Sequence, residues 1–156
     1  MKGCTKMAYN IGHVAFNCND IEASVEFYKN VFGFPEAFRF FRNEGTLGGV
    51  YIYIAENQFL ELFQSKSPIS PDMPGTIRYA GNAPGYAHIC IQVGDLEAEY
   101  KKVTTAGAQI DAEMRTGMSK CKMFWTHDPD GNKIEIMELP PESLQAQANE
   151  RLRENK

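Results

Sequence analysis

The chain has no surplus of positive charge, no apolar run long enough to cross a bilayer, and no two cysteines close together in sequence. Sixteen Lys and Arg stand against twenty Asp and Glu, a net charge of −4, so there is no basic surface for nucleic acid. No stretch approaches the roughly 20 apolar residues of a membrane span. Cys4, Cys18, Cys90 and Cys121 are scattered and form no CxxC pair, which argues against a zinc ribbon or a redox dithiol. Free thiols in a reducing compartment are their simplest state. The opening residues, MKGCTKMAYNIGH, lack the long apolar stretch of a secretory signal. A cytoplasmic protein without nucleic-acid or membrane partners is expected.

What is present is enough for a sizeable core. Of 156 residues 43% are hydrophobic, with ten Phe, seven Tyr and one Trp, and 23% are charged. This length suits one domain, or two very small halves sharing a core.

The sequence repeats itself once. GHVAFNCNDIEASVEFYKNVFGF (12–34) aligns with AHICIQVGDLEAEYKKVTTAGA (87–108), placing His13 on His88 and Asp20-Ile21-Glu22-Ala23 on Asp95-Leu96-Glu97-Ala98. Further along, Phe59-Leu60-Glu61-Leu62-Phe63 aligns with Lys133-Ile134-Glu135-Ile136-Met137 at an offset of 74. Two copies are too few for a solenoid, and a duplicated half-domain is the better reading.

Each copy reads strand, helix, then three strands. Residues 11–17 are apolar and β-prone. Asp20 is a good N-cap for a helix over 21–32, which places Ile21, Val25, Tyr28 and Phe32 near one face and stops at Gly33. Strands follow at 37–41, 49–55 and 58–64, the last two joined by a short turn at Ala55-Glu56-Asn57. The second copy predicts a strand at 86–93, a helix at 96–106 stopped by Gly107, and strands at 110–115, 120–126 and 133–139. Asp128-Pro129-Asp130-Gly131-Asn132 is a strong turn between the last two. The modules are thus 9–64 and 86–139. Residues 65–85, with prolines at 68, 71, 74 and 84, read as a linker or lid. The tail 140–156 is polar, with a possible exposed helix over 142–155.

Two His…Glu pairs, one per copy, carry the chemical signal. His13 and Glu61 are 48 positions apart, and His88 and Glu135 are 47. Strand alternation puts Glu61 on a face with Phe59 and Phe63, and Glu135 on a face with Met137. Ligands and apolar neighbours are expected to look toward one interior. A glutamate buried there is costly unless something pairs with it. A lone strand histidine is ordinarily a packing or surface residue. Recurrence of both residue types, once per copy, favours a metal site. Two imidazoles and two carboxylates suit one divalent ion: Zn, Ni, Co, Mn or Fe(II).

These stretches, with FLELF and DPDGNKIEIMEL, resemble the vicinal oxygen chelate superfamily, which includes glyoxalase I, methylmalonyl-CoA epimerase, extradiol dioxygenases and fosfomycin/bleomycin resistance proteins. The resemblance covers most of residues 11–139. It implies an α+β fold: two βαβββ modules forming a cupped, mostly antiparallel eight-stranded sheet around a metal, as a single domain over 1–139. It places the ligands on His13, Glu61, His88 and Glu135. Within the superfamily, the His, Glu, His, Glu set resembles bacterial glyoxalase I. Extradiol dioxygenases usually lack the second carboxylate, and the epimerase usually carries Gln where Glu61 stands.

One departure concerns the co-substrate. Glutathione-using glyoxalases typically have Arg four residues after the first ligand and Asn four after the second; here those positions are Asn17 and Ser65. The expected activity is a metal-dependent isomerase or lyase of glyoxalase I type, moving a proton next to a carbonyl through an enediolate. Glu135 is the first choice as base, with Glu61 across the site. Trp125, Met123 and Asn17 are candidate substrate contacts, core packing being an equal reading for the first two. A homodimer and a small-molecule substrate are expected. The competing readings are an acyl-CoA epimerase, an Fe(II) dioxygenase, and a non-catalytic module that sequesters a drug or metabolite.

Overall fold

The structure is a computed structural model that describes residues 11–66 and 86–154. It contains β1 (His13–Cys18), α1 (Ile21–Phe32), β2 (Glu36–Phe41), β3 (Leu47–Ala55) and β4 (Gln58–Gln64) in the first repeat. The second repeat has β5 (Ile89–Gln92), α2 (Leu96–Thr105), β6 (Ile110–Thr116), β7 (Lys122–His127) and β8 (Lys133–Glu138), followed by α3 (Leu144–Glu154). Most of the expected linker, with its four prolines, lies outside the described residues, as do residues 9 and 10 of the first module. No helix among the described residues is long and apolar enough to cross a membrane.

The eight strands form two sheets of four, ordered β1-β4-β3-β2 and β5-β8-β7-β6. In each, the first strand runs parallel to the last and the other pairings are antiparallel. This is the expected pair of βαβββ modules. The chain divides into two compact units that follow the repeats closely.

The local chemistry of the two repeats is alike. The Asp20 carboxylate accepts from the N–H groups of Glu22 and Ala23, and the Asp95 carboxylate from that of Ala98. These caps satisfy donors that the first helical turn leaves open. The last strand adds a second cap in each unit: Gln64 Oε1 accepts from Ile21 N at 3.1 Å, and Glu138 Oε2 from Leu96 N at 2.9 Å. The first helix ends at Gly33, whose φ of 71° is the left-handed conformation that glycine adopts without strain.

Each sheet has one packed face. In the first unit it carries Phe16, Cys18, Val50, Ile52, Leu60 and Leu62, all buried, as are Ile21, Val25 and Tyr28 of α1. In the second, Phe124, Ile134 and Ile136 are fully buried beneath α2, where Tyr100 meets Phe124 edge-on at 5.1 Å.

Boundaries moved where pairing partners run out. β5 begins at Ile89 rather than at residue 86, because Ile89 pairs with Ile134 and β8 starts only one residue earlier. β7 begins at Lys122 rather than 120. Lys120 has φ 61° in a turn closed by hydrogen bonds from Lys120 N to Gly117 O and from Gly117 N to Cys121 O.

Candidate metal centre

The side chains singled out in the sequence lie on the other, open face of each sheet. In β1, His13, Ala15 and Asn17 are exposed while Phe16 and Cys18 are buried. The expectation of a shared side for the His, the Glu and their apolar neighbours holds. That side is not the packed core, which α2 covers from behind in the second unit.

In each unit the histidine meets its glutamate. His13 Nε2 is 3.4 Å from Glu61 Oε2, and His88 Nε2 is 3.1 Å from Glu135 Oε2. The carboxylates are the sheltered partners, with side chains 12% and 11% exposed against 49% and 35% for the imidazoles. Among the described residues no group of three or more His, Cys, Asp or Glu side chains is gathered to hold an ion. Each unit by itself brings together one imidazole and one carboxylate.

The donor chemistry of each pair fits a divalent cation. Nitrogen and oxygen ligands bound at about 2.0–2.2 Å, at angles from right to tetrahedral, stand about 2.8–3.6 Å apart. Both observed separations fall in that interval, and both exceed the roughly 2.7–2.9 Å of a good charge-assisted hydrogen bond.

An aromatic ring flanks each pair at the same place. Tyr51 lies opposite Glu61 in the β3–β4 register, and Trp125 lies opposite Glu135 in the β7–β8 register. Tyr51 meets His13 edge-on at 5.8 Å, and Trp125 meets His88 edge-on at 4.8 Å. Tyr51 was not picked out from the sequence, yet the offset of 74 that aligns Glu61 with Glu135 also aligns Tyr51 with Trp125. Burial, then a hydrogen bond to Glu61, raise the Tyr51 phenol above its ordinary pKa. Across β5, Cys90 faces Glu135 in register. Burial first, and then the Glu135 carboxylate, push its thiol up to about 12, so the neutral thiol faces the carboxylate.

The surroundings then diverge. Around Tyr51 the open face of the first sheet is a run of rings: Phe38 stacks on Tyr51 at 4.5 Å, Phe59 meets both Tyr51 and Tyr53, and Phe40 reaches Phe63. Gly49 permits this, since a Cβ there would stand 2.8 Å from the Phe40 ring and 2.9 Å from the Leu62 carbonyl oxygen. In the second unit Met123 is buried opposite Met137. At that end α3 begins: Leu144 N donates to Ser119 O, and Gln145 links Cys121 Sγ at 2.8 Å to Met137 Sδ at 3.9 Å. Asn17 is exposed, on the His13 side of β1 and opposite Phe63 in register.

The motif DPDGNKIE has a structural task. Asp128 Oδ1 accepts from Asp130 N and Asn132 N, its Oδ2 accepts from Asn132 Nδ2, and Gly131 takes a positive φ. Asp128 and Asn132 are buried. This loop sets the register that brings Trp125 opposite Glu135. The third histidine, His127, stands outside the pairs, its Nδ1 2.9 Å from both carboxylate oxygens of Asp111. An open groove of about 490 Å³ at the start of α2, lined by Asp95, Arg115, Lys122 and Glu138 among others, includes neither His88 nor Glu135.

Comparison with known proteins agrees with this architecture. Residues 10–136 match the Glyoxalase/Bleomycin resistance protein/Dioxygenase superfamily. The uncharacterized protein YwbC of Bacillus subtilis is 28% identical over 135 residues, which are 85% of this chain and 99% of that protein. A glyoxalase family protein from Enterococcus faecalis superimposes with a TM-score of 0.65 at 26% identity, over 83% of this chain and 97% of that one. Lactoylglutathione lyase from Agrobacterium tumefaciens shares the fold, with a TM-score of 0.59 at 21% identity over 85% and 96% of the two chains. With paired βαβββ units, a His–Glu pair in each, and a family match across 10–136, the chain belongs to the Glyoxalase/Bleomycin resistance protein/Dioxygenase superfamily.

Proposed function

We propose that this protein is a metal-dependent isomerase or lyase of glyoxalase I type, which moves a proton between carbons next to a carbonyl. The observation that carries this reading is the matched geometry of His13–Glu61 and His88–Glu135, each an imidazole nitrogen facing a sheltered carboxylate. In this reading both pairs together hold one divalent ion. When bound, the ion would polarise a substrate carbonyl and make the neighbouring C–H more acidic.

The chain's own residues do the rest. Glu135 takes the α-proton and returns it at the adjacent carbon. Glu61 has a phenol opposite it in register, Tyr51, whereas Glu135 has the weaker thiol donor of Cys90. Glu61 is therefore the anchored carboxylate and Glu135 the working base. The ring-lined face of the first unit suits an apolar substituent, and Asn17 and Ser65 offer no cation for the carboxylates of a glutathione adduct. The preferred substrate is an uncharged 2-hydroxycarbonyl compound with an apolar substituent.

The test is solvent exchange. Wild-type protein loaded with zinc or nickel should incorporate deuterium from heavy water at the α-carbon of such a compound, and metal-stripped protein should not. Oxygen consumption with catechols, without α-proton exchange, would overturn the reading in favour of a dioxygenase.

A further inference from the structure

We infer that the indole N–H of Trp125 is the donor that holds an oxygen of the substrate beside the His88–Glu135 pair; this deepens the proton-transfer reading and rests on it. Trp125 lies opposite Glu135 in register and edge-on to His88 at 4.8 Å, so it borders both members of the pair. Its Nε1 is buried, and among the described residues it is the one side-chain nitrogen or oxygen atom that is buried without a hydrogen-bond partner. Such a group is destabilising in a finished fold, and its retention points to an acceptor that arrives from outside.

The first unit supplies an internal control. Tyr51 holds the equivalent position, opposite the Glu61 carboxylate in register. A phenolic O–H rotates about its C–O bond to find an acceptor, whereas an indole N–H is fixed in the ring plane and only donates. Of two rings at matching positions, one carries a rotatable hydroxyl and the other a fixed, buried donor without a partner. The neighbouring Met123 and Met137 are thioethers, at best weak acceptors.

The acceptor such a donor fits is a carbonyl or hydroxyl oxygen. A carbonyl oxygen gains negative charge as the adjacent carbon loses its proton, and a fixed donor stabilises it most at that stage. Trp125 thus becomes a substrate-binding residue whose contribution grows during proton removal.

Trp125 is the only tryptophan of the chain, so nitrogen-15-labelled protein gives a single indole signal. The zinc-loaded full chain is titrated with acetohydroxamate, whose adjacent oxygens copy those of a hydroxycarbonyl, and binding is followed in parallel by calorimetry. The indole proton should shift downfield and exchange more slowly with water, and Trp125→Phe should bind the hydroxamate about tenfold more weakly. A bound hydroxamate with an unmoved indole signal, equal affinity in Trp125→Phe, or no binding at all would overturn the assignment. The indole signal needs no variant and no turnover. A responding indole in a protein that exchanges no α-proton would end the catalytic reading and leave the donor in place. Wild-type exchange rates in Trp125→Phe would do the reverse.

Discussion

The two repeats put a His–Glu pair on the open face of a four-stranded sheet and then surround it with different chemistry. The first wraps His13 and Glu61 in rings, with Tyr51 opposite the carboxylate. The second sets His88 and Glu135 among Cys90, Met123, Met137 and an indole whose N–H is unspent. The donor atoms and the helix caps are the common part, and the neighbours in the next strand are the part that differs. In our reading the first unit anchors and the second reacts.

The largest expected effect tests that division of labour. Glu135→Gln should lower α-proton exchange by about 10³-fold or more, within the range for loss of a general base. Glu61→Gln should cost roughly tenfold less, through weaker metal retention. Deuterium exchange rates and metal content, measured on both variants, separate the roles. Equal losses would mean that the two carboxylates are interchangeable.

The second experiment asks whether the pairs act on one ion. Equilibrium dialysis against zinc should give one ion per chain, and either His13→Ala or His88→Ala should remove nearly all of it. Two ions per chain, with each variant losing one, would separate the units chemically.

A smaller effect is expected at Tyr51. Tyr51→Phe keeps the ring stacked on Phe38 and removes the hydroxyl opposite Glu61. Denaturant unfolding of the metal-free protein should show a loss of at most about 1 kcal/mol, the scale of one partly solvated polar contact. Trp125→Phe, which deletes an unsatisfied N–H, should leave the same protein as stable or slightly more so.

The smallest effect lies in a contact that, among the described residues, the first unit has and the second does not. Arg39 on β2 binds Glu22 of α1 and Glu36, and holds both carboxyls below the usual range through hydrogen bonds. Depressed carboxylates stabilise the fold above the unfolded glutamate value of about 4.3, and this contribution disappears as the pH falls through their lower folded values. Arg39→Ala should cost at most about 1 kcal/mol at pH 7 because the pairs are solvent-exposed, less in high salt, and nothing once both carboxyls are protonated. Urea unfolding across pH 2–7 at two ionic strengths (experimental settings of about that span) checks the sign.

Much of this arrangement was legible in the residues. The caps Asp20 and Asp95, the stop at Gly33 and the turn at Asn57 (φ 60°) are local chemistry, and local chemistry reads well from sequence. The two His–Glu pairs were visible because they recur. Tyr51 was overlooked because a tyrosine on a strand carries no chemical flag of its own; only the repeat offset marks it as the counterpart of Trp125. Which side the helix would cover was not legible. Alternation says which residues share a face, but not which face a helix will cover. The strand starts at residues 89 and 122 depended on where a distant partner begins, which no local pattern encodes.

The bracing of Asp128 by Asn132 and the loop amides has a consequence for how this gene can change. A strand presents alternate residues to opposite sides, so one codon gained or lost between residues 128 and 132 would turn Glu135 toward α2 and bring Ile134 or Ile136 outward in its stead. The charge would then lie in oil, facing no imidazole. Elsewhere loop length can drift across generations, but here it is tied to the facing of the Glu135 carboxylate, and lineages that keep the His88–Glu135 pair should keep the spacing.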